Sequence, residues 1–192
     1  MNQDYVDTVR LLLDIAPAVF KPPRFAMKGG TALNLFVQDM PRLSVDIDVV
    51  FTDYSLDRES ALRAISADLG AVKAAIAAIG HRAVLPTTKC GDDVKLLVDA
   101  GTLRVKVEVN FVFRGSVLPV VRKPLVKAAR DLFTTEINVP VLETAELYGS
   151  KLVAAMDRQH PRDLFDVMGL FAHEGITAGI RRSFVVYPRE PQ

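Results

Sequence analysis

The sequence contains one cysteine, Cys90, among 192 residues, which excludes an intramolecular disulfide and favours a reducing compartment. No run approaches the ~20 consecutive apolar residues that a membrane-spanning helix needs. The first five residues lack the basic start and apolar core of a signal peptide. These absences exclude a disulfide scaffold and a membrane protein, and they predict a cytoplasmic protein without a membrane partner.

An excess of charge of either sign is also missing, since the net charge is only +1. The charges are nevertheless separated along the chain. Residues 39–59 carry six acidic and two basic side chains, whereas residues 104–130 carry seven basic side chains and a single acid, Glu108. This separation fits a cation-binding pocket beside a surface for polyanions, but it equally fits ordinary solvated faces.

The composition, 49% hydrophobic and 24% charged, is typical of a globular domain, and no repeat or linker interrupts it. Apolar spacing predicts helices at residues 4–15, 31–37, 62–79, 144–158, 161–173 and 177–187. It predicts strands at residues 43–51, 94–98 and 103–113, with a short apolar run at 117–121 and a polar stretch continuing to 138. Because strands and helices do not alternate regularly, we predict an α+β fold rather than a doubly wound sheet.

Two aspartates in the first of these strands are the first candidates for chemistry. Asp46 and Asp48 flank Ile47, so on a strand both carboxylates project from one face, with Ser44 beside them. Like charges held close together are unfavourable unless protons or a cation neutralise them. Magnesium bound by oxygen ligands would meet that need. Two surface acids on a solvated strand edge remain the alternative, because this pattern is common.

A pair of glycines precedes the aspartates by sixteen residues. Gly29 and Gly30 lie between a short apolar segment and a predicted helix that begins near Thr31. Glycine lets a turn approach a ligand closely, and a helix N-terminus offers free N–H groups to an anion. A nucleotide triphosphate suits such a turn. The combination with the aspartates is more specific than either feature alone.

The third acid, Glu108, lies on the polar face of the clearest predicted strand. Two-metal sites need a further carboxylate, which could also position or deprotonate an attacking hydroxyl. Cross-strand pairing with Lys106, Arg104 or Lys95 is the alternative for this side chain.

A cluster of charged residues follows in the predicted C-terminal helices, within sixteen residues: Lys151, Arg158, Arg162, Asp163 and Asp166. A lysine there could hold a triphosphate, and Asp166 could orient the nucleotide. Asp163 lies in a first helical turn and also fits a helix-dipole role. The two arginines also fit a solvated surface.

Several runs together resemble the nucleotidyltransferase AbiEii/AbiGii toxin family. They are KGGTALNL at residues 28–35, RLSVDID at 42–48, VEVN at 107–110, FRG at 113–115, and the span from Lys151 through Arg158 to RDLFD at 162–166. The resemblance covers about residues 28–187. It implies a minimal polymerase-β-like nucleotidyltransferase fold, with a mixed sheet flanked by helices and a helical C-terminal portion.

The resemblance also implies a function. It implies Mg²⁺-dependent (or Mn²⁺-dependent) transfer of nucleotides from an NTP to an acceptor, here the 3′ end of tRNA, by the toxin of a toxin–antitoxin pair. A cognate antitoxin is then the expected protein partner. Transfer to a small molecule or to a protein hydroxyl is the alternative enzyme activity. A non-catalytic module that binds nucleotide or antitoxin is the alternative from another class.

Carried over by position, the resemblance assigns metal binding to Asp46 and Asp48, with Glu108 as a third acidic position. It assigns completion of the NTP site to Lys151 and Asp166. The remaining expected substrate contacts are Lys28, Gly29, Gly30, Thr31, Arg42, Ser44, Arg158 and Asp163.

Members of the family that the chain resembles usually continue into further helices beyond the position of Tyr187. We therefore expect a nucleotidyltransferase core at residues 1–140 and a shortened helical segment at residues 141–192. We also expect uncovered apolar side chains near residues 170–171 and 184–185.

Overall fold

The computed structural model describes residues 3–86, 94–110 and 113–187. Cys90 lies outside these ranges. Within them, the chain forms seven helices and one mixed sheet of seven strands in the order β3-β4-β5-β2-β1-β7-β6. The elements in chain order are α1 (Gln3–Val19), β1 (Phe25–Lys28), α2 (Gly29–Phe36), β2 (Ile47–Phe51), α3 (Arg58–Ala78), β3 (Arg82–Val84), β4 (Lys95–Ala100), β5 (Leu103–Asn110), β6 (Val121–Pro124), α4 (Lys127–Phe133), β7 (Asn138–Val141), α5 (Thr144–Arg158), α6 (Pro161–His173) and α7 (Ala178–Val186).

The centre of the sheet is β2, which runs antiparallel to β1 and parallel to β5. Its alternate side chains Ile47, Val49 and Phe51 are fully buried, while Asp48 between them stays partly exposed. Since successive side chains of a strand point to opposite faces, Val50 lies on the same face as Asp48, and it is fully buried. That face of β2 is therefore polar only near its N-terminal end. The α+β class predicted from the sequence is confirmed.

The helices at the C-terminus follow the predicted boundaries closely. Helix α5 begins where the Glu143 carboxylate accepts a hydrogen bond from the amide of Ala145. Helix α6 begins at Pro161, whose fixed φ suits a first turn, and the His160 ring accepts from the amide of Arg162. Between the two helices Gln159 has a φ of 49°, so the chain reverses there. Local capping therefore explains why these ends are readable from sequence.

Several strand predictions were wrong at their ends. Strand β2 begins only at Ile47, so residues 43–46 form a loop, and β5 ends at Asn110. Residues 111 and 112 of that prediction lie outside the described ranges, and Phe113 lies in a bend. The apolar run at 117–121 contributes only its last residue to β6, because the amides of Val117 and Leu118 donate to the Glu146 carboxylate instead of to a strand.

Four elements were not predicted from the sequence, namely β3, β6, α4 and β7. The short helix α4 lies inside the stretch that was predicted to be merely polar. The N-cap residue of α4 makes no side-chain hydrogen bond to the helix. Instead Asp39, which is distant in sequence, accepts a hydrogen bond from the amide of Ala128 in the first turn of α4. Such tertiary capping leaves no local signal.

The apolar side chains near the C-terminus are partly covered. Leu170 is fully buried, which corrects the expectation for that residue. Phe171 and Val185 are exposed, as expected, and Phe184 is half-buried. Across the described ranges, no helix combines the length and apolarity needed to cross a membrane.

Helices α5 and α7 pack with their backbones unusually close at Gly149. A Cβ atom at this position would lie 2.6 Å from the Ser183 Cβ and 2.9 Å from the Phe184 amide nitrogen. Because backbone atoms cannot move aside as a flexible side chain can, only glycine fits there.

We predict that Gly149→Ala lowers the free energy of unfolding by about 1–3 kcal/mol, the usual effect of overpacking. Gly70→Ala is the matched control, because Gly70 lies in α3 and a Cβ atom added there would have no other atom within 4 Å. There alanine should raise stability by up to about 1 kcal/mol through helix propensity. Urea unfolding of both variants tests the packing, and equal effects would contradict it.

Candidate active site

The turn from β1 into α2 brings backbone and carboxylate together. Gly29 has a φ of 77°, and a Cβ atom there would lie 2.1 Å from Oδ2 of Asp48. Both the positive φ and the missing side chain are therefore required. The Asp48 carboxylate rests directly against the start of the helix.

Asp46 reaches the same place from the loop before β2. Its carbonyl accepts a hydrogen bond from the buried hydroxyl of Thr31 in α2. The prediction that Asp46 lies on the strand is wrong, because Asp46 precedes β2 by one residue. The hydrogen bond from Thr31 nevertheless holds the Asp46 backbone at the same turn. Asp46 and Asp48 are both partly exposed.

Burial raises the pKa of Asp48 above its ordinary value, and the Asp46 carboxylate raises it further. The ammonium groups of Lys28, Lys151 and Lys106 act in the opposite direction. The net result is a carboxylate whose charge is disfavoured in the protein without added cations.

Glu108 lies beside the aspartates, directly opposite Asp48 in the parallel β2–β5 register. Its carboxylate is held by Lys106 at 2.8 Å and Lys95 at 3.1 Å. Burial raises the pKa of Glu108, but hydrogen bonds from the two lysines outweigh this effect and lower it overall. The pairing left open by the sequence is thus present for two of the three basic residues considered; Arg104 pairs with Asp99.

A metal site of several side chains is not preformed in the described part of the chain. No group of three or more histidine, cysteine, aspartate or glutamate side chains is gathered there in a metal-binding arrangement. Two aspartates with oxygen ligands do suit Mg²⁺ or Mn²⁺. Metal binding by Asp46, Asp48 and Glu108 stays a prediction.

The second glycine, Gly30, leaves room for the side chain of Arg42. A Cβ atom at Gly30 would lie 2.8 Å from Nη2 of Arg42 and 3.3 Å from Oγ of Ser44. The guanidinium donates two hydrogen bonds to Asp166, from Nε at 2.8 Å and Nη2 at 2.7 Å. Arg42 therefore joins the glycine turn to helix α6 in a bidentate, well-defined geometry.

Asp166 is fully buried and both of its oxygens are engaged. Besides Arg42, it binds Lys151 at 3.2 Å, and Lys151 also binds Asp163 at 2.9 Å. Arg158 pairs with the second oxygen of Asp163 at 3.1 Å. The predicted C-terminal cluster is therefore one ion-pair network, except for Arg162, which is exposed. Asp163 has charged partners beyond any dipole role.

One residue of the network was missed by sequence reasoning. Asn34 is fully buried, and its Nδ2 donates to the Gly30 carbonyl at 2.8 Å and to Asp166 at 3.4 Å. Its Oδ1 has no hydrogen-bond partner. The only signal was its spacing of four residues from Gly30, which lets a helical side chain reach that carbonyl.

The chain is similar to known proteins. The family described as nucleotidyl transferase AbiEii toxin, of type IV toxin–antitoxin systems, matches residues 10–190. The chain belongs to this AbiEii family. The match confirms the resemblance seen in the motifs. No curated protein sequence matches the chain.

The AbiEii chain is also similar in fold to a solved structure, MenT4, a nucleotidyltransferase toxin from Mycobacterium tuberculosis H37Rv. The TM-score is 0.59 at 24% sequence identity, over 92% of this chain and 63% of MenT4. The likeness confirms the fold, and the AbiEii chain spans less than two thirds of that protein.

We predict that Asp48→Asn raises the melting temperature of the protein at pH 7 in the absence of divalent ions. Because the folded-state pKa lies above the ordinary 3.8, ionisation opposes folding as pH rises from that value through the folded pKa. Each kcal/mol recovered shifts the melting temperature by about 2–4 °C. The gain should disappear below the ordinary pKa, where both side chains are neutral.

Asp53→Asn is the control for that experiment, because the hydroxyl and amide of Ser55 lower the pKa of Asp53. Removing this favourably placed charge should not raise the melting temperature. A scan of melting temperature against pH for both variants, repeated with magnesium chloride, makes the comparison. A gain for Asp53→Asn equal to that of Asp48→Asn would contradict the assigned cause.

We further predict that Lys151→Ala lowers the free energy of unfolding by about 3–5 kcal/mol, because two buried carboxylates lose a partner. Arg158→Ala removes the other cation on Asp163, but its side chain is 56% exposed. There the loss should be about 0–1 kcal/mol. Denaturant unfolding of the two variants distinguishes them, and similar small losses would show that the network is not stabilising.

Proposed function

We propose that the protein transfers a nucleoside monophosphate from an NTP to an acceptor hydroxyl in a reaction that depends on a divalent metal. The observation that carries this proposal is the Asp48 carboxylate lying against the Gly29 backbone where α2 begins, with Asp46 tied to the same turn by Thr31. Phosphate-binding and cation-binding groups then meet within one turn of the chain.

The triphosphate is proposed to lie at the N-terminus of α2, along Gly29, Gly30 and Thr31. The N-cap residue Lys28 makes no side-chain hydrogen bond to the helix. Anions are stabilised at such a position by the first N–H groups and by the helix dipole. Lys28 and Arg42 add positive charge, and Ser44 borders Gly30.

Magnesium or manganese is proposed to bind Asp46 and Asp48, with Glu108 opposite Asp48 as the third ligand. The carboxylate oxygens of the two aspartates suit such an ion, and burial disfavours the charge of Asp48 without one. Glu108 would have to turn from Lys95 and Lys106 to join them, because no three carboxylates are gathered in a metal-binding arrangement in the described residues. When bound, the metal supplies positive charge that offsets the charge of the phosphates and of the attacking oxygen.

In the proposed reaction, the acceptor hydroxyl oxygen forms a bond to the α-phosphorus, and the bond from the α-phosphorus to its bridging oxygen breaks. Pyrophosphate leaves with that oxygen. Glu108 is the carboxylate that positions or deprotonates the hydroxyl. Asp166 contributes by binding Arg42, and Lys151 contributes by binding Asp166 from α5. Catalysis of this kind depends mainly on positioning.

RNA, at the 3′ end of tRNA, is the proposed acceptor. The basic stretch at residues 104–130 is not one surface, because β5 lies inside the sheet and β6 at its far edge. The support comes instead from Lys95 and Lys106, which flank Glu108 with 46% and 39% of their side chains exposed. Cations there suit a phosphate backbone that approaches the aspartates.

The biological setting is proposed from the family. MenT4 is named a nucleotidyltransferase toxin, and the AbiEii family belongs to toxin–antitoxin systems. We propose that this chain acts likewise as a toxin in the cytoplasm, with a cognate antitoxin. In this proposal residues 1–140 form the transferring core and residues 141–192 complete the NTP site.

Incubation with each of the four labelled NTPs, magnesium or manganese, and total RNA tests the proposal. We expect labelled tRNA with the wild type, and none with Asp46→Ala or Asp48→Ala of unchanged fold. Label on a protein or on a small molecule would show that the acceptor is not RNA. NTP binding without any transfer would indicate a binding module and contradict the proposal.

We predict that Gly29→Ala lowers the transfer rate by about a hundredfold or more, since a displacement near 1 Å has effects of that size. The new Cβ would occupy the place of the Asp48 carboxylate. Gly101→Ala is the matched control: its φ of 62° brings the same backbone strain, but nothing lies within 4 Å. Both variants should lose about 1–2 kcal/mol of stability, and only the first should lose activity. Equal activity losses would contradict the role of the Gly29–Asp48 contact.

A further inference from the structure

The ring of Tyr187, just after α7, contacts two other side chains. Phe113 stacks on it with centroids 4.1 Å apart and planes 22° apart. The ammonium nitrogen of Lys28 lies 5.6 Å from the ring centroid, within the range of a cation–π contact. Tyr187 is buried, and it is not among the predicted site residues.

The ring is fixed at its other end by Glu146. This carboxylate is fully buried and accepts a hydrogen bond from the Tyr187 hydroxyl at 3.0 Å. It also accepts from the amides of Val117 and Leu118, each at 2.9 Å. A buried carboxylate needs such donors, so moving the ring would leave it partly unsatisfied.

The tyrosine remains a donor over the whole neutral range. Burial raises the pKa of Tyr187, and the neighbouring Glu146 carboxylate raises it further. The phenol is therefore protonated, and its hydrogen bond to Glu146 persists. Tyr187, Phe113 and Glu146 together form what we term the aromatic support.

The side chain that the aromatic support contacts belongs to the proposed phosphate site. Lys28 ends β1, is paired with Asp48 in the antiparallel register, and immediately precedes Gly29. After burial, its charge is the largest influence on the pKa of Asp48, which it lowers. Lys28 therefore contacts the Tyr187 ring and also acts on the charge of Asp48.

We propose that Tyr187 is a positioning residue that acts through Lys28, holding its ammonium group beside Asp48 and the Gly29 turn for the NTP phosphates. This inference rests on the proposed function. A free lysine side chain loses considerable rotamer entropy when it binds an anion. A rigid ring beneath it removes part of that loss in advance.

A double-mutant cycle tests the inference, with Kd measured by calorimetry for the α,β-methylene analogues of the four NTPs in the presence of magnesium. Tyr187→Leu removes the ring, and its Kd should rise about fivefold to tenfold, as for a partly desolvated cation–π contact. Tyr187→Phe keeps the ring, and its Kd should stay within about twofold of the wild type. In a Lys28→Met background, Tyr187→Leu should have no further effect.

A rise in Kd that is the same with and without Lys28 would show a merely structural role and overturn the inference, as would an unchanged Kd for Tyr187→Leu. If Tyr187→Leu does not fold, Tyr187→Met carries the same cycle, because it also removes the ring and fills more of the vacated space. Wild-type protein that binds none of the four analogues overturns the proposed function and this inference with it. Wild-type binding with additive losses overturns the inference alone.

Discussion

The close approach of the Asp48 carboxylate to the backbone of Gly29 is the constraint on which the rest of the site depends. It requires a residue without a side chain at a φ of 77°, at the junction of β1 and α2. It also holds a charge where burial disfavours it. Three lysines, Lys28, Lys151 of the C-terminal network and Lys106 of β5, favour the charged form of Asp48 and lower its pKa.

A second constraint joins the sheet to the C-terminal helices. Asp166, without any exposed surface, binds Arg42 from the loop before β2 and Lys151 from α5. A buried ion-pair network of this kind contributes specificity of geometry rather than a large net stability. Arg42 is thereby held over Gly30, so the network joins the Gly29–Gly30 turn to α5 and α6. The Glu146–Tyr187 hydrogen bond adds a second link between α5 and the same turn, through Lys28.

Much of the site could be predicted because its residues lie in short, chemically distinct runs. Gly29 and Gly30 mark a turn by their lack of side chains, and Asp46 and Asp48 attract notice as like charges two residues apart. Helices α5 and α6 were predictable at both ends because their caps are local. Glu146 and Tyr187 carried no such signal, since their partners are distant in sequence, and Asn34 was marked only by its spacing of four residues from Gly30.

What the sequence by itself determined is the family, the α+β class and the carboxylate pair behind a glycine turn, because these follow from local pattern and residue chemistry. The tertiary structure decided which charges meet. It paired Glu108 with Lys95 and Lys106 across neighbouring strands, and it divided the basic stretch at 104–130 between separate parts of the sheet. Strand order and register govern those contacts, and they arise from packing of the whole chain rather than from any segment of it.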